Sequence, residues 1–349
     1  MMTTEIQIQK ASSVSSEKII SFLNQELRSQ SEFSIEAEYP AMFSEFPGGD
    51  SLIITQGEEI VSHAAYVIRE FQSANYRMKM GVVGSVATRK DFRGQGYASR
   101  LMKKAFDEMR SRGCMVSLLW SDNEQFYYPL GFYRIGRELD LKFSMESVPD
   151  MLDGVREATS QDVAHIWRLY QRHELKIDRS LEEQKLLLKT PLAKVYVWAD
   201  SSGVKSYVVI NKGVDFKNYI HEWGGDIQGV TQIVAYCQRK IYKQTPLTLI
   251  SPAAIDLNPL KQFAVEKWEG VVGLMKVLDR TLLMSLYENF LKRQNIAYSW
   301  NREKNGLFFG KDEHFIRNDQ ELLKLVFGEG GTPKNHPELP FFLWGFDSI

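Results

Sequence analysis

The chain has 349 residues, 44% of them hydrophobic and 25% charged, which is enough for two cores and too ordinary a balance for a fibrous or disordered protein. With 43 basic and 44 acidic residues the net charge is −1, so no chain-wide field favours nucleic acid or an anionic membrane. The only cysteines, Cys114 and Cys237, lie far apart in apolar surroundings, which excludes a disulfide framework; no zinc spacing, signal-like run or membrane-length stretch occurs. The expectation is a cytoplasmic protein with no metal and no nucleic-acid or membrane partner. The sequence does not fix an oligomeric state, and a homo-oligomer is compatible with it.

Residues 5–9 read as a short first strand. From 17 to 28, Ile19, Ile20, Leu23 and Leu27 share one helical face behind a cap at Ser15 or Ser16. The stretch 33–47 mixes Phe33, Tyr39, Phe43 and Phe46 with Glu36, Glu38 and Glu45, and is broken by Pro40 and Pro47. Its carboxylates are either a solvated face or groups able to bind a cationic amine or accept its proton. A hairpin follows, 51–55 and 60–68, with His63 expected in its core or at its rim.

Residues 81–132 carry the chemistry. A β-branched strand at 82–86 leads into a turn holding Arg93, Gly94, Gln95, Gly96 and Tyr97, and then into a helix with Ala98, Leu101, Met102, Ala105, Phe106 and Met109 on one face. Two glycines leave the backbone bare, and the helix start aims free N–H groups and a positive dipole end at the same place, which suits a pyrophosphate. No G-K-[ST] follows, so this is not a Walker A loop; a third glycine and a ribose-binding acid are missing, so it is not a full dinucleotide fingerprint. After a buried run at 115–120, Ser121 or Asp122 is placed to cap a short helix through Phe126 and Tyr127 that stops by Gly131.

Arg93, Gly96 and Ala98 meet the Q/R-x-x-G-x-G/A signature of the GNAT superfamily of acyl-CoA-dependent N-acyltransferases, and Tyr127 four residues before Gly131 and Phe132 meets its next motif. The chain therefore resembles that family over this stretch. The resemblance implies acetyl-CoA as co-substrate, paired along its pantetheine by the backbone of Val86, Ala87 and Thr88, with one amide facing the thioester oxygen. It further implies pyrophosphate held by the amides of Arg93, Gly94, Gln95, Gly96, Tyr97 and Ala98, Asn123 on the same side, and Tyr127 as acid toward the departing thiolate. Taken without the motif, Tyr127 reads as a half-buried aromatic whose hydroxyl finds a carbonyl. The glutamate that many relatives carry before the cradle is missing from MKMGVVGSVAT.

Beyond Phe132, residues 134–146 alternate as one strand and 149–154 read as a linker. The second half repeats the plan: a capped helix within 155–175, a hairpin turning at 201–203, a strand at 218–225, a helix at 231–242, a strand at 247–250 and a helix near 259–267. Its turn, GGDIQGVTQ, puts Asp226 where an anion would sit, so it reads as a degenerate, non-catalytic copy. His221, Glu222 and Asp226 read as structural, not as metal ligands. A helix at 282–291, a hairpin at 305–315 and a helix at 319–327 precede a tail whose Phe341, Phe342, Leu343, Trp344 and Phe346 should be packed.

The expected fold is α/β (α+β): a mixed central sheet of GNAT type in two tandem copies, catalytic at 1–150 and degenerate at 151–280, with a small C-terminal α+β segment at 281–349 packing back on them. The tandem order loosely resembles acetyltransferases of the enhanced-intracellular-survival type, whose base is the chain-terminal carboxylate; that likeness implies the same role for Ile349. The function expected is acetyl transfer from acetyl-CoA to a primary amine of a small molecule. The alternatives are a protein or peptide N-acetyltransferase and a non-catalytic acyl-CoA-binding regulatory protein.

Overall fold

Two mixed sheets carry the chain, and each takes a strand from the other's part of the sequence. The computed structural model describes residues 7–43, 49–150, 153–301, 306–329 and 336–349. The strands of the first half are β1 (Ile8–Lys10), β2 (Asp50–Gln56), β3 (Glu59–Gln72), β4 (Arg77–Thr88), β5 (Val116–Leu119), β6 (Tyr133–Ile135) and β7 (Glu138–Phe143). Those of the second are β8 (Val155–Glu157), β9 (Lys176–Ile177), β10 (Lys194–Asp200), β11 (Gly203–Ile210), β12 (Tyr219–Gly225), β13 (Leu247–Pro252), β14 (Glu266–Gly270) and β15 (Gly273–Val277).

The first sheet runs β1-β2-β3-β4-β5-β15-β6, with β9 on the far end of β3; the second runs β14-β7-β13-β12-β11-β10-β8. Thus β15 fills the gap between β5 and β6, and β7 crosses into the second sheet between β13 and β14. The segment expected as one strand after Phe132 is two because Gly136 breaks it: its φ is +73°, and its amide donates to Gly328 O at 3.1 Å. The helix expected near 259–267 is only Asn258–Lys261; beyond it Val265 N donates to Lys142 O at 2.8 Å and β14 pairs with β7, so a free sheet edge overrides the local pattern. The helix expected at 231–242 starts earlier, at Ile227–Tyr236, and ends in a π turn over Cys237–Ile241.

The helix Tyr97–Ser111 lays Leu101, Met102, Ala105, Phe106 and Met109 on the first sheet. On the other face, Ser16–Leu27, capped by Ser15 accepting from Lys18 N, buries Ile19, Phe22 and Leu23. The remaining part has the helix Arg280–Arg293, a small sheet of β16 (Ser299–Asn301), β17 (Gly306–Phe309) and β18 (Asp312–Phe315), and the helix Asp319–Phe327. Cys114 and Cys237 are buried free thiols.

The crossing strand β7 carries Glu138 and Asp140 on one face. Burial, with Asp140 beside it, pushes the Glu138 carboxyl up to about 8; burial alone pushes Asp140 up to about 6, with Trp268 opposing. A carboxyl whose folded pKa lies above its unfolded value stabilises the fold while protonated, and that contribution is lost as pH rises toward the folded pKa. Glu138→Gln should therefore match the parent near pH 5 and exceed it at pH 8.5 by about 1–3 kcal/mol in urea unfolding, at about 1.4 kcal/mol per pKa unit retained. An equal difference at both pH values would refute the assignment.

Candidate active site

Strands β4 and β5 pair in parallel at Met80, Val82 and the residue between them, and β4 continues to Thr88 with no further partner on that side. At the point of divergence β4 bulges. Ser85 has φ +51°, the β3 register shifts there, and the ring of His63 on β3 donates from Nδ1 to Ser85 O at 2.7 Å. His63 is fully buried, and burial pushes its imidazole down to about 4, so it is a neutral pin for the bulge and no base. A cleft of about 540 Å³ opens where the strands part.

Of the residues expected to bind the cofactor, Val86, Ala87, Thr88, Arg93, Gly94, Gly96, Tyr97, Ala98 and Asn123 line that cleft, together with Tyr127. Gln95 does not; its side chain turns away to accept from the Tyr97 hydroxyl at 2.8 Å. Gly94 and Gly96 have φ of +78° and +75°, and a Cβ on either would meet nothing within 4 Å, so the glycines serve backbone conformation and leave open space above the turn. Gly96 is the N-cap of Tyr97–Ser111, whose first turn has no side-chain cap and no acidic residue. Its free amides face the cleft, as an anion site requires. Arg93 is held by Thr88 O at 2.9 Å and Glu26 at 3.1 Å.

Tyr127 sits where this cleft meets a second one of about 210 Å³, and it lines both. Burial pushes its phenol up to about 12, partly opposed by the Ser121 hydroxyl. The second cleft is lined by Arg28, Tyr39, Gly84, Trp120 and, from the far half, Asp215 and Ile349. A Cβ on Gly84 would stand 2.4 Å from Ile349 O and 2.6 Å from its backbone carbon, so only glycine lets Ile349 lie against β4. Asp215 accepts from Arg28 at 3.1 Å and, closely, from the Tyr39 hydroxyl.

The carboxylates of the 33–47 stretch are elsewhere. Glu38 is buried against Arg28 and accepts from Val214 N at 2.8 Å, Glu36 lines a separate cleft, and Glu45 lies outside the described residues. Leu27, Ser121 and Phe126 are read from sequence only as helix-face, capping and helix residues, and Phe92, Arg28 and Asp215 carry no sequence expectation; Asp215 arrives from the second half with no local signal.

Residues 8–135 match the family model for the acetyltransferase (GNAT) domain. Residues 8–135 are a GNAT acetyltransferase domain. A comparison with curated protein sequences gives no match. Among solved structures, the chain is similar to a conserved protein of unknown function and probable N-acyltransferase from Enterococcus faecalis, at 13% identity over 81% of this chain and 75% of that one with a TM-score of 0.64. It is also similar to a GCN5-related N-acetyltransferase from Anabaena variabilis (14%, 80% and 75%, 0.60) and to Eis1 from Mycobacterium abscessus (11%, 81% and 76%, 0.54). At these identities the likeness is one of fold, and it extends over both halves.

The second copy differs from the GNAT domain at the helix start that matters. Asp226 caps Ile227–Tyr236, its own carboxylate accepting from Gln228 N at 3.1 Å, so the anion position is filled from within. Strands β12 and β13 still part after Ile220 and Leu249, yet Trp223 reaches across to donate to Ile250 O at 3.1 Å. His221 bonds Asn211 O and Glu222 pairs with Arg179, so the three residues that could have suggested a metal have other partners.

Proposed function

We propose that the GNAT domain moves an acetyl group from acetyl-CoA to a primary amine of a small molecule. The reading is carried by one observation: Tyr127 stands at the junction of a cleft with an uncapped helix start and a smaller pocket that ends on the Ile349 carboxyl. Acetyl-CoA would supply a thioester. The amides from Arg93 to Ala98 would hold its pyrophosphate, and the backbone of Val86, Ala87 and Thr88, free of a β5 partner, would pair with the pantetheine arm and direct an amide at the thioester oxygen. With Ile349 as the last residue, its carboxylate would take the ammonium proton of the acceptor, and Asp215 would add a second negative wall for a cationic amine.

Tyr127 stays protonated at neutral pH and would donate to the sulfur as the thiolate leaves. A phenol at about 12 is a weaker acid than a free one, so its part is to deliver a hydrogen bond in a dry site as much as to give up the proton. Tyr127→Phe should lower kcat about 100-fold, with acetyl-CoA Kd changed less than about twofold. Stopped-flow release of CoA thiol with a panel of small amines and a lysine peptide checks both points. Turnover on the peptide alone would replace the small-molecule reading, and undiminished kcat would remove Tyr127 from the reaction.

A further inference from the structure

Residues 339–349 thread between the halves. Leu339, Phe341, Phe342, Leu343, Trp344 and Phe346 are all buried, the Tyr76 hydroxyl donates to Pro340 O at 2.6 Å, and Trp344 Nε1 donates to Leu175 O at 2.9 Å. Apolar packing of this kind is enough to keep the segment in place. The last turn, Gly345–Asp347, is nonetheless held by charges. Asp347 accepts from Arg179 Nε at 2.8 Å and from the Tyr170 hydroxyl at 3.2 Å, and Arg179 pairs with Glu222 at 2.9 Å. Lys212 Nζ donates to Gly345 O at 2.8 Å and to both the carbonyl and the hydroxyl of Ser348 at 2.7 Å.

Arg179, Lys212, Glu222 and Asp347 are each no more than 2% exposed. Buried charges of this kind stabilise little, because desolvation consumes most of their attraction. Burial pushes the Lys212 ammonium down to about 7, against the opposing pull of Asp215 and Asp347. What a guanidinium fork and an ammonium with fixed acceptors do supply is register. His221 enforces the same register: a Cβ on Gly345 would fall 2.3 Å from its Nδ1, so no neighbouring residue could take that place.

We propose that Lys212 and Arg179 are positioning residues, which lock the 345–348 turn so that Ile349 meets Gly84 in the acceptor pocket, and that holding this turn is the second half's part in the reaction. The proposal rests on the reading of Ile349 as the base. Asp347 is the acceptor through which Arg179 acts, and Glu222 keeps the guanidinium oriented. Arg179, Lys212 and Glu222 belong to the copy that has filled its own anion site, and Arg69 of β3 stands 3.7 Å from Asp347 on the other side.

The test is a double-mutant cycle. Lys212→Met should lower kcat about tenfold or more with acetyl-CoA Kd unchanged, and Asp347→Asn should do likewise; retained acetyl-CoA binding shows that each variant is folded. Both are repeated in a chain carrying two extra residues after Ile349, measured by single turnover. The expected result is that neither substitution lowers the rate further in that background, since the group they position is already displaced. A loss that persists in full there, or no loss in the parent when the extension alone is damaging, overturns the clamp and leaves the base reading standing. Unchanged turnover in the extended chain overturns both.

Discussion

Gly96→Asp should abolish acetyl-CoA binding, with Kd weakened at least about 100-fold in a calorimetric titration and the remaining fold intact. Two effects combine. The residue has φ +75°, where a side chain costs about 1–2 kcal/mol. The new carboxylate would stand at the first turn of Tyr97–Ser111, where Asp226 stands at the start of Ile227–Tyr236, and would repel pyrophosphate. A hundredfold change is about 2.7 kcal/mol, within reach of strain and repulsion together. The same titration on the parent should give one site per chain. Two sites, or binding indifferent to Gly96, would mean that the glycine turn is not the phosphate site.

The second large effect lies at the other end of the chain. Appending two residues after Ile349 should reduce turnover by about 100-fold or more while leaving acetyl-CoA affinity within twofold, because it converts a carboxylate into an amide and pushes extra atoms against β4. The space is already closed: a single Cβ on Gly84 would overlap the Ile349 carboxyl. The two measurements separate the proposed roles, acetyl-CoA binding at the glycine turn and proton removal at Ile349. Full activity of the extended chain would exclude the Ile349 carboxylate as base.

The glycine turn and its helix are legible in sequence because they are local: glycine spacing, a strand before, an amphipathic helix behind. Nine of the ten expected cofactor residues line one cleft, and Gln95 is absent from it because a neighbouring hydroxyl takes its amide oxygen. The packed tail was legible as well, since an aromatic run has few other fates. Strand exchange was not, because β7 and β15 look like any hairpin strands and their partners are set by which sheet edges stand open. Asp215 and Lys212 were hidden for the same reason, being made relevant by contacts across the halves.

The exchange of β7 and β15 has a bearing on how the polypeptide matures. When the ribosome has released the stretch that matches the acetyltransferase family, the slot between β5 and β6 is still empty, and the strand that fills it is encoded more than a hundred residues later. Until then both neighbours present open edges, which are sites for wrong pairing. The first sheet is therefore completed only after most of the second half has been made, a long-range closure of the kind that slows folding and invites help from chaperones. Gene fragments cut at the apparent end of the first half would inherit that open slot permanently.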